Sequence, residues 1–381
     1  MKKFILCTAL ALLCAGSHAV CSAQLPLGEK VTVFDLGEAG SRFYRIPAIA
    51  VASDGTLVAV ADKRGKSSAD LPNIISVVAK RSTDGGRSWS EQITVAQGDS
   101  ASRRTYGDPA LIRDKRTGNL VCVFTGDNGF FASTPEKPQK IYVSRSFDCG
   151  LTWEKPREIT SSFFQPGWQG GFAASGSLAQ TNDGRIMFVM DTRTSPERKM
   201  KGIYEYVISS PDGGQTWELL NADAKVPSDG IGNESKLLEL EDGRLLMSIR
   251  SPGCRRFAFS SDGGRTWSRE QAVRDLVEPD CNGDIIAVIG PDHKRYLLHS
   301  LPADAEERKA VSVYISGDEG KTWPRKKLLA KDGSGYSALV ALPDGTVGCL
   351  LEEGKWDDAI PGPNGYRINF TRFSLDDMID R

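Results

Sequence analysis

Charged and phenolic side chains recur in this chain at fixed distances from short Gly-containing or Asp-led turns. Arg45, Asp108, Ser175, Glu234, Asp284 and Tyr336 stand eight or nine residues before the turns Asp54-Gly55, Thr117-Gly118-Asn119, Asp183-Gly184, Asp242-Gly243, Asp292-His293-Lys294 and Asp344-Gly345. Arg64, Asp127, Arg193 and Arg250 follow the apolar runs after the first four of these turns, and Arg308 stands eight residues before Ser316. Asp70 falls in the segment between two apolar runs. If these run ends converge, guanidinium and carboxylate groups meet at one apolar mouth. Such a mouth suits a small anionic, polyhydroxylated ligand.

The elements that must bring them together are repeats. Six pairs of apolar, β-branched-rich runs flank the turns, at 48–62, 110–124, 176–190, 235–249, 285–299 and 338–352, and read as β-hairpins. Each of the first five is followed by a second hairpin whose turn is the pattern Ser-x-Asp-x-Gly-x-Thr/Ser-Trp, at 82–89, 146–153, 210–217, 260–267 and 316–323. The central aspartates, Asp84, Asp148, Asp212, Asp262 and Asp318, are 64, 64, 50 and 56 residues apart. Five of the seven tryptophans sit in these boxes.

That period predicts an all-β, six-bladed β-propeller of four-stranded antiparallel blades, at roughly 60 residues per blade. The sixth unit has no box. Its outer strands are expected from 365–373 and from 30–36, which closes the ring by pairing the two ends, with Pro361-Gly362-Pro363 as a loop. Box turns and Asp-Gly turns then lie on one face, and the charged run ends on the other. The box aspartates are read as scaffold, bonding the backbone of their own turns.

Residues 1–23 have a basic start, an apolar stretch too short to span a bilayer and small residues before Gln24, and are read as a signal peptide. Residues 24–381 are then one propeller domain, exported to the periplasm or secreted, soluble and monomeric. Without Lys2 and Lys3 the chain carries 46 basic and 49 acidic residues, a net of −3, which favours neither nucleic acid nor insertion in a membrane. Five cysteines remain, Cys122, Cys149, Cys254, Cys281 and Cys349, without metal spacing; at most two disulfides fit, and mostly buried thiols are expected. With only His293 and His299 left, histidine catalysis and most zinc sites are disfavoured.

Phe43-Tyr44-Arg45-Ile46-Pro47, the five boxes, Asp70 after Asp62-Lys63-Arg64, Glu234 followed sixteen residues later by Arg250, and Arg308 with Tyr336 beyond the last box resemble the bacterial exo-α-sialidases, or neuraminidases. The resemblance runs in order along nearly the whole of 24–381. It implies that Arg45, Arg250 and Arg308 bind the sialic acid carboxylate, a task for planar forks that lysine lacks. It implies Tyr336 as nucleophile, a neutral phenol being better suited than a carboxylate to an anionic anomeric centre, with Glu234 as the base that accepts its proton.

In the same scheme Asp70 is the general acid and then the base for water, with Asp62 and Asp99 as competing candidates. Nearby Arg64 lowers the pKa of Asp70 where the mechanism wants it protonated. Arg64 and Asp108 match positions that contact the 4-hydroxyl and amide region of the sugar. Trp168, Gln169, Phe172 and Ser175 are placed in the loop leading into the third blade, beside the N-acetyl or aglycone pocket. The implied activity is retaining hydrolysis of terminal α-linked sialic acid on glycans, glycoproteins or glycolipids through a tyrosyl-enzyme intermediate, without metal or cofactor. Attack by the 7-hydroxyl of the substrate itself, as in an intramolecular trans-sialidase, and a non-catalytic sialic-acid-binding lectin are the alternatives on the same fold.

Overall fold

The computed structural model describes residues 24–65, 67–197, 202–230, 232–355, 365–376 and 378–379. The expected signal peptide and the Pro361-Gly362-Pro363 loop lie outside the described residues. Six antiparallel sheets are arranged as the blades of a propeller. The first three strands of the blades are Phe43–Val51, Leu57–Arg64 and Ile75–Ser82 in blade one and Tyr106–Arg113, Leu120–Gly126 and Lys140–Ser146 in blade two. In blade four they are Lys236–Glu239, Leu245–Ile249 and Pro252–Ser260, and in blade five Asp284–Ile289, Arg295–Pro302 and Val311–Ser316.

Blade six begins with Ser334–Ala341 and Val347–Lys355, adds Gly365–Phe373, and takes its outermost strand, Lys30–Phe34, from the other end of the chain. Val31 faces Phe370 across that last pair. Ring closure is strengthened where the box of blade one meets blade six: Trp89 packs edge-on to Phe370 at 5.6 Å. Gly86, at φ +91°, has no room for a side chain there, since a Cβ would fall 2.1 Å from the Phe370 ring.

No single core holds the molecule. Apolar side chains instead fill each wedge between neighbouring blades, as where Val121, Val143, Phe188 and Ile208 join blades two and three, or Phe34, Tyr44, Ala59 and Phe370 join six and one. Two-sided burial explains why the middle strands read as continuous apolar runs. Each box closes on itself. In the first, Ser82 Oγ donates to Asp84 Oδ1 at 2.8 Å, the backbone N–H of Ser88 donates to the same oxygen at 2.9 Å, and Ser88 Oγ donates to Oδ2 at 2.6 Å. The other four repeat the pattern.

Blade three departs from the expected hairpin at 176–190. Its first strand starts earlier, at Gly170–Ala173, and is interrupted before Ala179–Gln180 rejoins the sheet. Gly176 and Ser177 pair instead with Ala110 and Leu111 of blade two, in parallel. The cause is local: Gly176 sits at φ +100°, outside regular β geometry, and the buried Lys236 ammonium bonds the Ser175 carbonyl beside it. The five cysteines among the described residues are free thiols, with Cys122, Cys281 and Cys349 buried.

Candidate active site

Three blades break register at the same height. In blade one Ile46 and Pro47 together oppose Ala61, in blade two Asp108 and Pro109 oppose Phe124, and in blade six Gly335 and Tyr336 oppose Glu352. Each is a bulge with one extra residue on the innermost strand. Bulges re-aim side chains next to functional sites. Ile46 and Asp108 take left-handed φ values of 60° and 56°, a costly conformation for a β-branched residue in particular.

These bulges aim their side chains into a cavity of about 460 Å³ at the face opposite the boxes. Its lining includes Arg45, Asp70, Asp108, Glu234, Arg250, Arg308 and Tyr336. Tyr336 is its centre. The phenol donates to Glu234 Oε1 at 2.6 Å and accepts from Arg250 Nη1 at 2.9 Å. The guanidinium carbons of Arg45, Arg308 and Arg250 stand 5.1, 5.4 and 5.9 Å from the centroid of its ring. Three permanent cations therefore surround one buried phenol.

Two of the three cations have a carboxylate brace. Arg45 makes a bidentate pair with Glu352 at 2.6 and 3.1 Å. Arg250 pairs with Glu234 and, through Nε at 2.7 Å, with Asp280. Arg308 is the least constrained, reaching only the Asp280 carbonyl at 3.5 Å among its hydrogen bonds between described residues. Glu352 does more than hold Arg45: its oxygens also accept the backbone N–H of Ile46 at 2.9 Å and of Tyr336 at 3.0 Å. One carboxylate thus ties the bulges of blades one and six together.

Burial pushes the Tyr336 phenol well above its ordinary range, and the adjacent Glu234 carboxylate pushes it further. The phenol is therefore neutral at rest. Burial would raise Glu234 too, but Arg250, the Tyr336 hydroxyl and Lys236 outweigh it and leave the carboxyl below its ordinary value. An ionised acceptor and a neutral donor sit 2.6 Å apart, poised for proton transfer.

Asp70 projects at the rim, its side chain 78% exposed, and Arg64 Nη1 holds its Oδ1 at 2.8 Å. Crowding in the concave mouth pushes its pKa up, but Arg64, Arg45 and Arg308 together bring it below the usual aspartate range. Asp108 behaves oppositely: burial, Asp62 and Asp70 push it well above. Asp62 is raised to about 6 by burial, against the opposing pull of Arg64.

The other sequence candidates fall in several places. Arg64 is 1% exposed and does not line the cavity; it lies behind Asp70, with Nη2 on Asp62 Oδ2 at 2.8 Å. Asp62, also fully buried, accepts the Asp108 backbone N–H at 2.9 Å. Asp99 is held in its own exposed turn by Ala101 and Ser102. Ser175 and Asp284 lie deeper in the channel, bound to Asn282 and to Ser177 and Leu339.

Asp127 bonds Tyr142, while Arg193 braces the carbonyls of Ser133 and Phe130. Of the third-blade loop residues, Phe172 lines the cavity, whereas Trp168 packs on Tyr206 at 4.5 Å in the core. Gln169 is not in the lining. Sequence reasoning missed Glu352, Asp280, Phe130 and Gln139. Glu352 had a signal: it stands seven residues after the turn glycine of blade six, as Arg250 does in blade four.

The chain matches the BNR repeat-like domain over residues 55–349. A sialidase of Micromonospora viridifaciens is 35% identical over 362 residues, covering 89% of this chain and 55% of the relative. A sialidase of Bacteroides fragilis is 30% identical, covering 84% of this chain and 62% of the relative. The chain thus spans little more than half the length of these relatives. Among solved structures, Hadza microbial sialidase Hz136 superposes with a TM-score of 0.81 at 27% identity, over 92% of this chain and 69% of that one.

Proposed function

Because this chain belongs to the sialidase family with BNR repeat-like domains, we propose that it releases terminal α-linked sialic acid from glycans, with retention, through a covalent intermediate on Tyr336. The observation that carries the reading is the phenol of Tyr336, bonded to an ionised carboxylate and ringed by three guanidinium groups. Arg45, Arg250 and Arg308 take the carboxylate of the sugar, which sets the anomeric carbon over the phenol. Glu234 accepts the phenolic proton as Tyr336 Oη bonds to that carbon. Asp70 gives its proton to the departing glycosidic oxygen.

In the second half, water gives a proton to Asp70 and attacks the same carbon, and the C–O bond to Tyr336 breaks as Glu234 returns its proton. Two inversions leave the starting configuration. Asp70 must enter the first step protonated, and the fraction protonated falls as pH rises through its depressed pKa. The rate is therefore expected to be highest in the acidic range and to fall toward neutrality. Arg64 serves this scheme by fixing the orientation of Asp70, and Asp108 lines the same cavity, its backbone N–H held by the Asp62 carboxylate that also pairs with Arg64.

The test is trapping with a 2,3-difluorinated sialic acid followed by peptide mass mapping. The expected adduct is on the peptide containing Tyr336. An adduct on a carboxylate, or turnover with no adduct, would remove the tyrosyl step. Mass analysis of the sugar released from an ordinary sialoside should show free sialic acid; an anhydro sugar would assign the attack to the substrate's own hydroxyl.

A further inference from the structure

The proton acceptor for Tyr336 stands on backbone that the sheet does not hold. Glu234 precedes the first strand of blade four, whose ladder begins only at Lys236, opposite Ser248. Its own N–H donates to the adjacent Asn233 side chain at 3.0 Å, a contact that fixes it to no neighbouring strand. The first firm anchor is Lys236, two residues on and therefore on the same face of the chain. That side chain is 2% exposed, and its ammonium donates to the Ser175 carbonyl of blade three and, at 3.0 Å, to Asn282 Oδ1 in the connection to blade five. Asn282 in turn donates to Ser175 Oγ at 3.0 Å, so one buried node joins three blades. Both acceptors of the ammonium are uncharged. Among the described residues this cation has no carboxylate within ion-pair distance, a costly way to bury a charge unless something uses it.

We propose that Lys236 is a positioning residue for the reaction: it anchors the segment that carries Glu234 and supplies the fixed positive charge that keeps this carboxylate ready to take the Tyr336 proton. The inference rests on the sialidase reading above. The groups that face Lys236 are Glu234, Asp191 from blade three, Asp284 and His299 from blade five, and Arg255 from the third strand of blade four. Burial and Glu205 push Asp191 well above the usual aspartate range, and burial and Arg255 push His299 well below the usual histidine range, so both are neutral. Asp284 is already taken up by Ser177 Oγ and the backbone N–H groups of Leu339 and Ile285, and Arg255 pairs with Glu278 at 3.4 Å. Glu234 itself faces Arg250, the Tyr336 hydroxyl and Asp108, which burial keeps neutral. Lys236 therefore adds its charge to that of Arg250 in a buried, weakly screening medium. The phenolic proton moves to Glu234 as Tyr336 Oη bonds to the anomeric carbon and returns when that bond breaks. Lys236 is outside the cavity lining and acts on both steps through Glu234 alone.

The experiment measures kcat and KM against pH, on a fluorogenic sialoside, for the full chain with Lys236→Met, which keeps the stem and removes the charge, and with Lys236→Gln, which also keeps a donor for the Ser175 carbonyl. In both variants kcat is expected to fall about tenfold while KM stays within about twofold, since the ammonium does not line the cavity. Without the cation Glu234 takes up its proton at higher pH, so the acidic limb of the profile is expected to move upward. In a Glu234→Gln background Lys236→Met is expected to add no further loss, because the group it acts through is gone. A rise in KM at unchanged kcat, an acidic limb that stays in place, a loss that adds in full to that of Glu234→Gln, or failure of both variants to fold overturns the proposal while leaving the sialidase reading intact. No turnover by the wild type overturns both.

Discussion

On one face of the propeller, five aspartates are each held by a serine two residues before and a threonine or serine four residues after, within a single turn. On the other face, the bonds that matter join residues far apart: Tyr336 to Glu234 across 102 positions, and Arg45 to Glu352 across 307. The first set repeats and the second does not. Repetition makes a ring in which no turn is indispensable, whereas the site arises where individual blades depart from the repeat by a bulge or a charged strand end. Damage should follow the same division: activity is concentrated on one face, and stability is shared out on the other.

The largest expected effect is Tyr336→Phe. The ring stays among the three guanidiniums, so the fold should hold, but the only atom lost is the one that bonds to Glu234 and Arg250. A fall in kcat of about 10³-fold or more is expected, read with a fluorogenic sialoside. Undiminished turnover would move the nucleophile elsewhere and dissolve the contrast between the faces.

Next comes Arg250→Lys. The charge is kept, but Arg250 Nε holds Asp280 while Nη1 bonds both Tyr336 and Glu234, and one ammonium on a flexible stem cannot reproduce that fork. Losing one or two charge-assisted hydrogen bonds, each worth about 1.5–3 kcal/mol, should lower kcat/KM about 10²-fold. The alkaline side of the pH profile is expected to stay in place, because Asp70 is held down by Arg64, Arg45 and Arg308 instead. A moved alkaline limb would show that Arg250 and Asp70 act as one unit.

The two faces were not equally legible in sequence. Box turns are local, so eight residues carry the whole instruction, and the strand pairing of blade six followed from simple counting of units. The rim was legible where a charged side chain flanks a strand by simple count, as Glu234 and Arg250 do. One-residue bulges did not hide Asp108 and Tyr336, but a strand displaced from the repeat did hide the start of blade three. Ser175 counts as a rim residue only if blade three starts as its neighbours do, and Gly176 prevents that. Arg193 stands at a rim position by count, yet it turns outward to brace the wall carrying Phe130. Wall residues such as Gln139 come from the long connection between the second and third strands of blade two, where no period applies.

Glu205 offers a sharper form of the comparison, since it is a carboxylate with the opposite environment to the box aspartates. It faces Asp191 across blade three, both are fully buried, and among the described residues neither has a hydrogen-bond partner on its carboxylate oxygens. Burial raises Glu205 from 4.5 to about 8. The folded chain therefore keeps a proton that the unfolded chain releases, and stability falls as pH rises from 4.5 toward 8. Glu205→Gln should remove that slope. Urea unfolding of both proteins at pH 4.5 and pH 7 is expected to show about 2–3 kcal/mol less loss in the variant. Parallel stability curves would mean that Glu205 ionises freely in the fold.

Asp84→Asn is expected to do least. The amide can keep its oxygen on the Ser88 backbone N–H, but its nitrogen now faces Ser88 Oγ, whose hydroxyl must turn to accept. One charge-assisted contact becomes a neutral one, at a cost of about 1 kcal/mol. Four intact boxes and the Trp89 contact with Phe370 remain to hold the ring, and the cavity lies on the opposite face. Melting temperature should fall slightly while kcat/KM stays within error of wild type. A proportionate loss of activity would show that strain at one turn travels the length of a blade to the bulge at Ile46 and Pro47, and the two faces would then be a single mechanical unit.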